Sequence, residues 1–498
     1  MAAAMPPVDP QTASRLANIP LEVLRRITDY LPTTDLGNMR LTCKAIEGSL
    51  FTSFSHEFFR KKQFMVSTFS LQALIDISKH PTLSPCLKHV IIATDRPSLS
   101  ELANPDSAGA YRAELVLADH KNLMVTGGLR DMLAEAFSNL PNLEVVDIRD
   151  FNSRSRTRDG RRAEWRSYGV ATLLESADVS IDLDRVRFQD RYPTQLFSAV
   201  ICALAVAQAR PKSIEVLFRG GRRHGGWGLE DEAFFIQPRM ESSMAQLLSG
   251  LTTLHLSLAS LQAIGMPARR VFQLEKFLSL APNLTWLRLN WRVCASPDSP
   301  DLLLPWLALK DTETVDDPTG MTPNPIPLRR LERFDLGNVI ISPQTLLRLV
   351  AKFSPSLTWL SLRRVSISNS EDKVRAKINP WAEPLSKIAK LDGQRLRTVE
   401  LSLLGYQFNS FRGEVRICPD KSDPASQYWA MDDKWTCSTN VLTLEKAVDE
   451  ALEHMIVQWQ SEHEDDEDDP EEGDESGQEE DDEEEEGNNE DAAMENID

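Results

Sequence analysis

The stretch LTWLRLNW at residues 284–291 and its near copy LTWLSLRR at residues 357–364 decide the fold of most of this chain. In both, leucine stands at the first, fourth and sixth positions. This L-x-x-L-x-L phrase alternates apolar and polar residues, which is typical of a strand with one buried face. Its clear copies begin at Leu87, Leu143, Leu251, Leu284, Leu331, Leu357 and Leu396, and a weaker one begins at Ile214.

Amphipathic stretches precede several of these strands. Helices are predicted at residues 128–139, 271–280 and 343–353. Pro141, Pro282 and Pro355 separate them from the strands that follow, because proline ends a helix. Helix-and-strand units that recur in this way favour a repeat architecture, in which each unit buries its apolar face on its neighbours.

The pattern resembles a leucine-rich repeat array over most of residues 70–410. This resemblance implies an α/β solenoid that binds a target protein. The spacing is uneven, since 47 residues separate Leu284 from Leu331 but only 26 separate Leu331 from Leu357. A non-repetitive α/β domain with several leucine-rich strands is therefore the alternative. The position that usually carries Asn or Cys in this family holds Phe151, Ala259, Arg292, Val339, Val365 and Leu404.

A second informative segment lies near the N-terminus, where residues 19–36 read IPLEVLRRITDYLPTTDL. We expect Asn18 to cap a first helix, Pro32 to end it and Thr34 to cap a second helix. A third helix is expected to follow Thr42 and to run to Gly48. Three short helices in about 45 residues cannot enclose a core of their own, so a partner or the rest of the chain must cover their apolar faces.

This segment resembles an F-box, and the chain resembles F-box proteins of the fungal type. The matching positions are Ile19-Pro20, Glu22-Val23, Ile27, Tyr30-Leu31-Pro32, Asp35-Leu36, Arg40-Leu41 and Cys43-Lys44. The resemblance implies docking to a Skp-type adaptor and, through it, to a cullin. The contact residues that it implies are Ile19, Pro20, Val23, Leu24, Ile27, Leu31, Leu36, Leu41, Cys43 and Lys44.

Acidic residues are distributed unevenly along the chain. Residues 461–498 contain 23 of its 75 acidic residues and none of its 55 basic ones, so the tail carries a charge of -23 and the rest of the chain +3. Such a segment repels itself and has little apolar surface to bury, which predicts disorder. The expected organisation is a disordered N-terminus at 1–15, an F-box at 16–64, a leucine-rich-repeat-like target-binding domain at 65–460 and a disordered acidic tail at 461–498.

Three insertions interrupt the repeats. Residues 152–167 are rich in arginine, residues 220–228 form a basic, glycine-rich stretch, and residues 297–327 are rich in Pro and Asp. Binding residues often gather in loops, although an arginine-rich loop is also often only solvated. The possible target-binding residues are Arg154, Arg156, Arg158, Arg161 and Arg162.

No motif for catalysis, cofactor binding or metal binding occurs. The six cysteines contain no C-x-x-C pair, and the eight histidines contain no H-E-x-x-H. Residues 1–10 lack the basic start and apolar core of a signal peptide, and the apolar run at 196–207 is too short to span a bilayer. We therefore expect a non-enzymatic protein of the cytoplasm or nucleus, without cofactor, metal, membrane or specific nucleic acid.

The tryptophans in or beside the repeat strands are expected to pack in the core. They are Trp286, Trp291, Trp359 and Trp381.

Two functions fit these observations. The first is the substrate-recognition subunit of a Skp–cullin–F-box ubiquitin ligase, in which the F-box holds the adaptor and the repeats hold a target. The alternative is a non-catalytic nuclear protein that uses its acidic tail to bind basic partners such as histones, since a dense polyanion attracts them at low salt. The alternative leaves the F-box-like segment unexplained.

Overall fold

The computed structural model describes residues 15–97, 108–152, 157–160, 165–172, 191–219, 228–259, 271–292, 303–311, 313, 322–368, 377–408, 411–417, 434–438 and 444–459. Within them the chain is a mixed α/β protein that begins with three helices and continues with alternating strands and helices. The helices are α1 Leu21–Thr28, α2 Thr33–Leu41, α3 Lys44–Phe59, α4 Thr68–Lys79, α5 Ala108–Thr126, α6 Gly128–Ser138, α7 Tyr192–Ala207, α8 Glu241–Ser249, α9 Phe272–Ser279, α10 Leu303–Ala308, α11 Pro343–Phe353, α12 Ala382–Ala389 and α13 Leu444–Glu453. Short 3-10 turns occur at Arg15–Asn18, Ser84–Cys86, Thr157–Asp159, Asp231–Phe234 and Pro238–Met240.

The strands form two sheets. They are β1 Lys61–Phe64, β2 His89–Ala93, β3 Val145–Arg149, β4 Ser213–Leu217, β5 Thr253–Leu258, β6 Trp286–Trp291, β7 Arg333–Gly337, β8 Ile340–Ile341, β9 Trp359–Arg363, β10 Ser366–Ser368, β11 Thr398–Ser402, β12 Leu404–Phe408, β13 Phe411–Ile417, β14 Lys434–Ser438 and β15 Met455–Val457. The large sheet has the order β1-β2-β3-β4-β5-β6-β7-β9-β11-β14, and the small sheet has the order β15-β13-β12-β10-β8. Nine strands of the large sheet are parallel and follow chain order. The tenth strand, β14, pairs with β11 in the antiparallel direction at the edge of the sheet.

The register of the large sheet explains the repeated leucine phrase. The second apolar position of each phrase aligns across neighbouring strands, so that one continuous row of apolar side chains faces the helices. The aligned residues on β5, β6, β7, β9 and β11 are Leu254, Leu287, Phe334, Leu360 and Val399, all of them buried. All eight predicted phrases contain a strand. Alternation with a period of two thus correctly located the sheet.

The helices between the strands pack against each other in sequence: α4 on α6, α6 on α7, α7 on α8, α10 on α11, α11 on α12 and α12 on α13. The three helices predicted before strands occur within one residue of their expected ends, as α6, α9 and α11. The apolar run at 196–207 lies inside α7 and is largely buried. The core therefore runs as one layer between the helices and the large sheet.

A tight turn recurs between the two sheets. Asn338, Arg364 and Leu403 each have φ between 52° and 54°, and each connects a strand of the large sheet to one of the small sheet. This left-handed backbone is tolerated by Asn but is unfavourable for Arg and Leu. The residues that follow, Val339, Val365 and Leu404, are buried, so apolar packing holds these turns where the repeat family has Asn or Cys.

The three N-terminal helices differ from the prediction at their ends. Asn18 belongs to a 3-10 turn and not to the N-terminus of α1, where Pro20 precedes the first residue without a side-chain cap. Helix α2 begins at Thr33, one residue before the predicted cap Thr34. Helix α3 continues through Gly48 to Phe59, because Leu50 and Phe58 extend its buried face well beyond the glycine.

Candidate functional site

The N-terminal helices share a small core that Trp165, from the insertion at 152–167, also covers. It consists of Leu24, Leu36, Ile46, Leu50 and Phe58, with only 2% and 3% of Leu24 and Leu36 exposed. Ile19, Leu31 and Cys43 are half-buried against it. The F-box resemblance implied Ile19, Leu24, Leu31, Leu36 and Cys43 as adaptor contacts, but the sequence could not separate the residues that face this core from those that face outward. Leu24 and Leu36 support the fold of the segment from inside.

A second set of apolar side chains on the same helices points outward. Val23, Ile27, Tyr30 and Leu41 are 48%, 38%, 81% and 86% exposed. Pro20 and Lys44 are exposed beside them in the sequence motif. We call Pro20, Val23, Ile27, Tyr30, Leu41 and Lys44 the docking set. An exposed group of large apolar side chains is the usual mark of a protein-binding surface. Tyr30, absent from the predicted contact residues, could have been found from its helical spacing after Val23 and Ile27.

Arg158, predicted as a possible target-binding residue in an exposed loop, lies buried against the N-terminal helices. Its side chain is only 8% exposed. Its Nε and Nη2 donate to the two carboxylate oxygens of Glu57 at 2.9 and 2.8 Å, and its Nη1 donates to the carbonyl oxygen of Leu31 at 2.7 Å. The guanidinium is therefore used within the chain, against the N-terminal helices. The other predicted residues of this insertion, Arg154, Arg156, Arg161 and Arg162, lie outside the described residues.

The strand face that points away from the helices carries polar and charged side chains in register. Neighbouring strands from β3 to β7 place Asp147, Glu215, His255, Arg288 and Asp335 side by side. A second row, two residues earlier on each strand, includes Trp286, Arg333 and Trp359. We call these eight residues the polar strand face.

Two tryptophans enclose an arginine on this face. The Arg333 guanidinium carbon lies 4.1 Å from the ring centre of Trp286 and 4.4 Å from that of Trp359. Arg333 Nε and Trp286 Nε1 both donate to the Asp335 carboxylate, at 2.9 Å each. Trp286 and Trp359 were expected to fill the core, as Trp291 and Trp381 do, but they are half-buried on the opposite face because their positions alternate with Leu287 and Leu360.

Charge pairing settles the ionisation of Asp147. Burial alone would raise the pKa of Asp147, but the charge of Arg149 and a hydrogen bond from His89 at 3.3 Å hold it below its usual range. Burial lowers the pKa of His89 to about 4 in spite of Asp147. The carboxylate of Asp147 is thus ionised and paired with Arg149, and His89 is neutral near pH 7.

The pKa of Glu215, the neighbour of Asp147 on β4, is shifted upward, opposite to that of Asp147. Burial, together with the negative charge of Asp147, raises the pKa of Glu215 to about 7. Its Oε1 accepts a hydrogen bond from Ser213 at 2.8 Å, whereas its Oε2 lies 3.8 Å from His255 Nδ1 and has no hydrogen-bond partner among the described residues. Burial also lowers the pKa of His255 well below its usual value. Glu215 is therefore a carboxyl group whose pKa lies near neutral pH, and burial also raises the pKa of Asp335 on the same face.

The part of this face that is not buried is the Trp-Arg-Trp stack, together with Arg288. Such a stack combines large contact area, cation–π attraction and fixed hydrogen-bond donors. Among the described residues, no group of three or more His, Cys, Asp or Glu could hold a metal ion. Among the described helices, none has the length and apolar character needed to cross a membrane.

Comparison with known proteins identifies the N-terminal segment. Residues 16–47 match the F-box domain family, and the match includes every residue of the docking set. No curated protein matches the chain. F-box domains bind Skp-type adaptors and through them cullins, so this domain supports a role as an F-box adaptor of a Skp–cullin–F-box ubiquitin ligase.

Proposed function

We propose that this protein is a non-enzymatic substrate-recognition subunit of a Skp–cullin–F-box ubiquitin ligase. The single observation that carries this proposal is the outward-facing docking set within a segment that matches the F-box family. Burying four large apolar side chains on an adaptor gives a hydrophobic driving force of several kcal/mol. The protein would work in the cytoplasm or nucleus, where such ligases act, and would contribute proximity and no catalytic group.

We further propose that the large sheet belongs to an irregular leucine-rich-repeat-like solenoid of the fungal type, and that the half-buried stack of Trp286, Arg333 and Trp359 on its polar strand face contacts the target. Nine parallel strands in chain order, and helices that pack on one another before and after α9, support the solenoid. The stack of Trp286, Arg333 and Trp359 supports the target surface, since Trp and Arg carry much of the binding energy at protein interfaces. The alternative, binding of basic partners, depends on the acidic tail at 461–498, which lies outside the described residues.

The adaptor contact is tested with Val23→Asp combined with Ile27→Asp. Both side chains are exposed, so the double variant keeps the F-box core, while a desolvated charge at the interface costs several kcal/mol. Co-purification with a Skp-type adaptor should be lost, with the circular dichroism spectrum unchanged. The matched control is Ser49→Asp, an exposed position on α3 outside the docking set. A folded double variant that still binds the adaptor would refute the assignment of this surface.

A further inference from the structure

The F-box is joined covalently to the sheet at one place. Helix α3 ends at Phe59 and β1 begins at Lys61, so Arg60 alone separates them. Helices α1 and α2 precede α3, and the chain provides no second covalent link for them. A single short connection leaves rotation about a few backbone dihedral angles, and further contacts are needed to restrict it.

Arg158 supplies one such contact, at the C-terminal end of α1. Its Nη1 donates to the carbonyls of Thr28, the last residue of α1, and of Leu31. The Thr28 carbonyl also accepts from the Leu31 backbone N–H at 3.1 Å, and a cation is favoured at this C-terminal end of the helix by the helix dipole. The same guanidinium binds both oxygens of Glu57 on α3, so one side chain joins α1 to α3. This fork geometry is specific to arginine.

Asp159 supplies the next contact, at the N-terminal end of α2. Its Oδ1 accepts from the backbone N–H of Thr33 at 2.7 Å, and its Oδ2 accepts from the Thr33 hydroxyl at 2.6 Å. The residue before Thr33 is Pro32, which has no side-chain acceptor. Asp159 therefore does what an N-cap side chain usually does, from a position 126 residues away in sequence. Both charges have the sign that the adjacent helix end favours.

Further residues along the chain after this pair contact α3 and the sheet. Trp165 packs on Phe58 of α3 with ring centres 6.1 Å apart. The Tyr168 backbone N–H donates to the carbonyl of Gln63 on β1 at 2.9 Å, and its own carbonyl accepts from the Ser70 hydroxyl at 2.7 Å. The same stretch of chain thus contacts two parts of the molecule. Arg158 and Asp159 contact the corner between α1 and α2, and Tyr168 contacts β1, the first strand of the sheet.

We propose that Arg158 and Asp159 are positioning residues, which together clamp the F-box in one orientation on the sheet domain. Their partners, Thr28, Leu31, Thr33 and Glu57, are not members of the docking set. Leu31, an implied adaptor contact, is bound only through its backbone carbonyl, so the clamp and an adaptor can be engaged together. This inference rests on the proposed function. A fixed orientation means that ubiquitin arrives at a restricted set of lysines, since transfer depends on the position of the acceptor amine. Loosening the clamp widens that set without weakening adaptor binding.

The clamp contact is tested by hydrogen exchange of the full chain carrying Arg158→Lys or Asp159→Ala. Lysine cannot span Glu57 and two carbonyls, and alanine has no oxygen to accept from the Thr33 amide. The Thr33 amide in the Asp159→Ala variant should exchange about tenfold faster, as expected when a helix loses one capping hydrogen bond. The matched controls are Arg130→Lys and Asp131→Ala, an adjacent and exposed Arg–Asp pair on α6. Unchanged exchange at Thr33 would overturn the clamp.

The positioning role is tested by self-ubiquitylation of the full chain, assembled with a Skp-type adaptor and a cullin-RING complex. The modified lysines are mapped by mass spectrometry. Arg158→Lys should bind the adaptor within about twofold of the unaltered chain but modify additional lysines, and Glu57→Gln, which breaks the contact from the F-box side, should give the same widened pattern. Faster exchange with an unaltered lysine pattern would overturn positioning and leave a purely structural contact. Failure of the unaltered chain to bind the adaptor would instead refute the proposed function, while the exchange experiment still decides the clamp.

Discussion

Glu215 should make this protein less stable as pH rises through neutrality. Its carboxyl is buried, beside the ionised Asp147, and its pKa is raised from 4.5 to about 7 in the folded state. A raised folded-state pKa means that folding favours the protonated acid. The resulting stabilisation is fully present below the unfolded pKa of 4.5 and is lost as pH rises through 7.

The size of this effect follows from the two pKa values. At about 1.4 kcal/mol per pKa unit, the part of the shift that is titrated between pH 5 and pH 8 amounts to about 2 to 3 kcal/mol. For a cooperative unit of several hundred residues this corresponds to a change in melting temperature of about 2 to 4 °C. Glu215→Gln resembles the neutral acid, keeps an acceptor for the Ser213 hydroxyl and cannot ionise.

The assay is thermal unfolding of the full chain and of the Glu215→Gln variant at pH 5 and at pH 8. The two should melt together at pH 5, and the variant should melt about 2 to 4 °C higher at pH 8. Glu332→Gln, an exposed carboxylate directly before β7, is the control and should show no such difference between the two pH values. Equal melting temperatures of the variant and the unaltered chain at pH 8 would refute the assignment of a neutral-range proton to Glu215.

Three further predictions concern other parts of the chain. Leu24→Ala should destabilise the F-box by about 2 to 5 kcal/mol, seen as faster hydrogen exchange in α1, because it leaves a cavity in the small core; unaltered exchange would contradict the inward orientation of Leu24. A double-mutant cycle of Arg333→Met and Trp359→Ala should give a coupling energy of about 0.5 to 1 kcal/mol by chemical denaturation, and zero coupling would contradict the stack. Truncation after Gln460 should change the melting temperature by no more than about 1 or 2 °C, because a charge-dense segment adds no packed contacts, whereas a fall of about 10 °C would show that the tail packs on the body.

The strands were predictable because burial on one face of a sheet imposes a period of two on the sequence. Leu254, Leu287, Phe334, Leu360 and Val399 carry that period and align as a buried row. The same alternation implies that the residues between them face the other side, yet Trp286 and Trp359 were predicted to pack in the core because they lie in the repeat strands. Their half-buried state follows from position in the strand and not from residue type.

The sequence by itself determined the F-box, the strand phrases and the helices before them, since local spacing and proline placement specify these over a few residues. Only the tertiary structure decided which apolar F-box residues face inward, as Leu24 does, and which face outward, as Leu41 does. It also assigned Arg158 and Asp159 to the ends of helices more than 120 residues earlier in the chain. Such pairings depend on where separate segments meet in space, and no local pattern in either segment encodes the other.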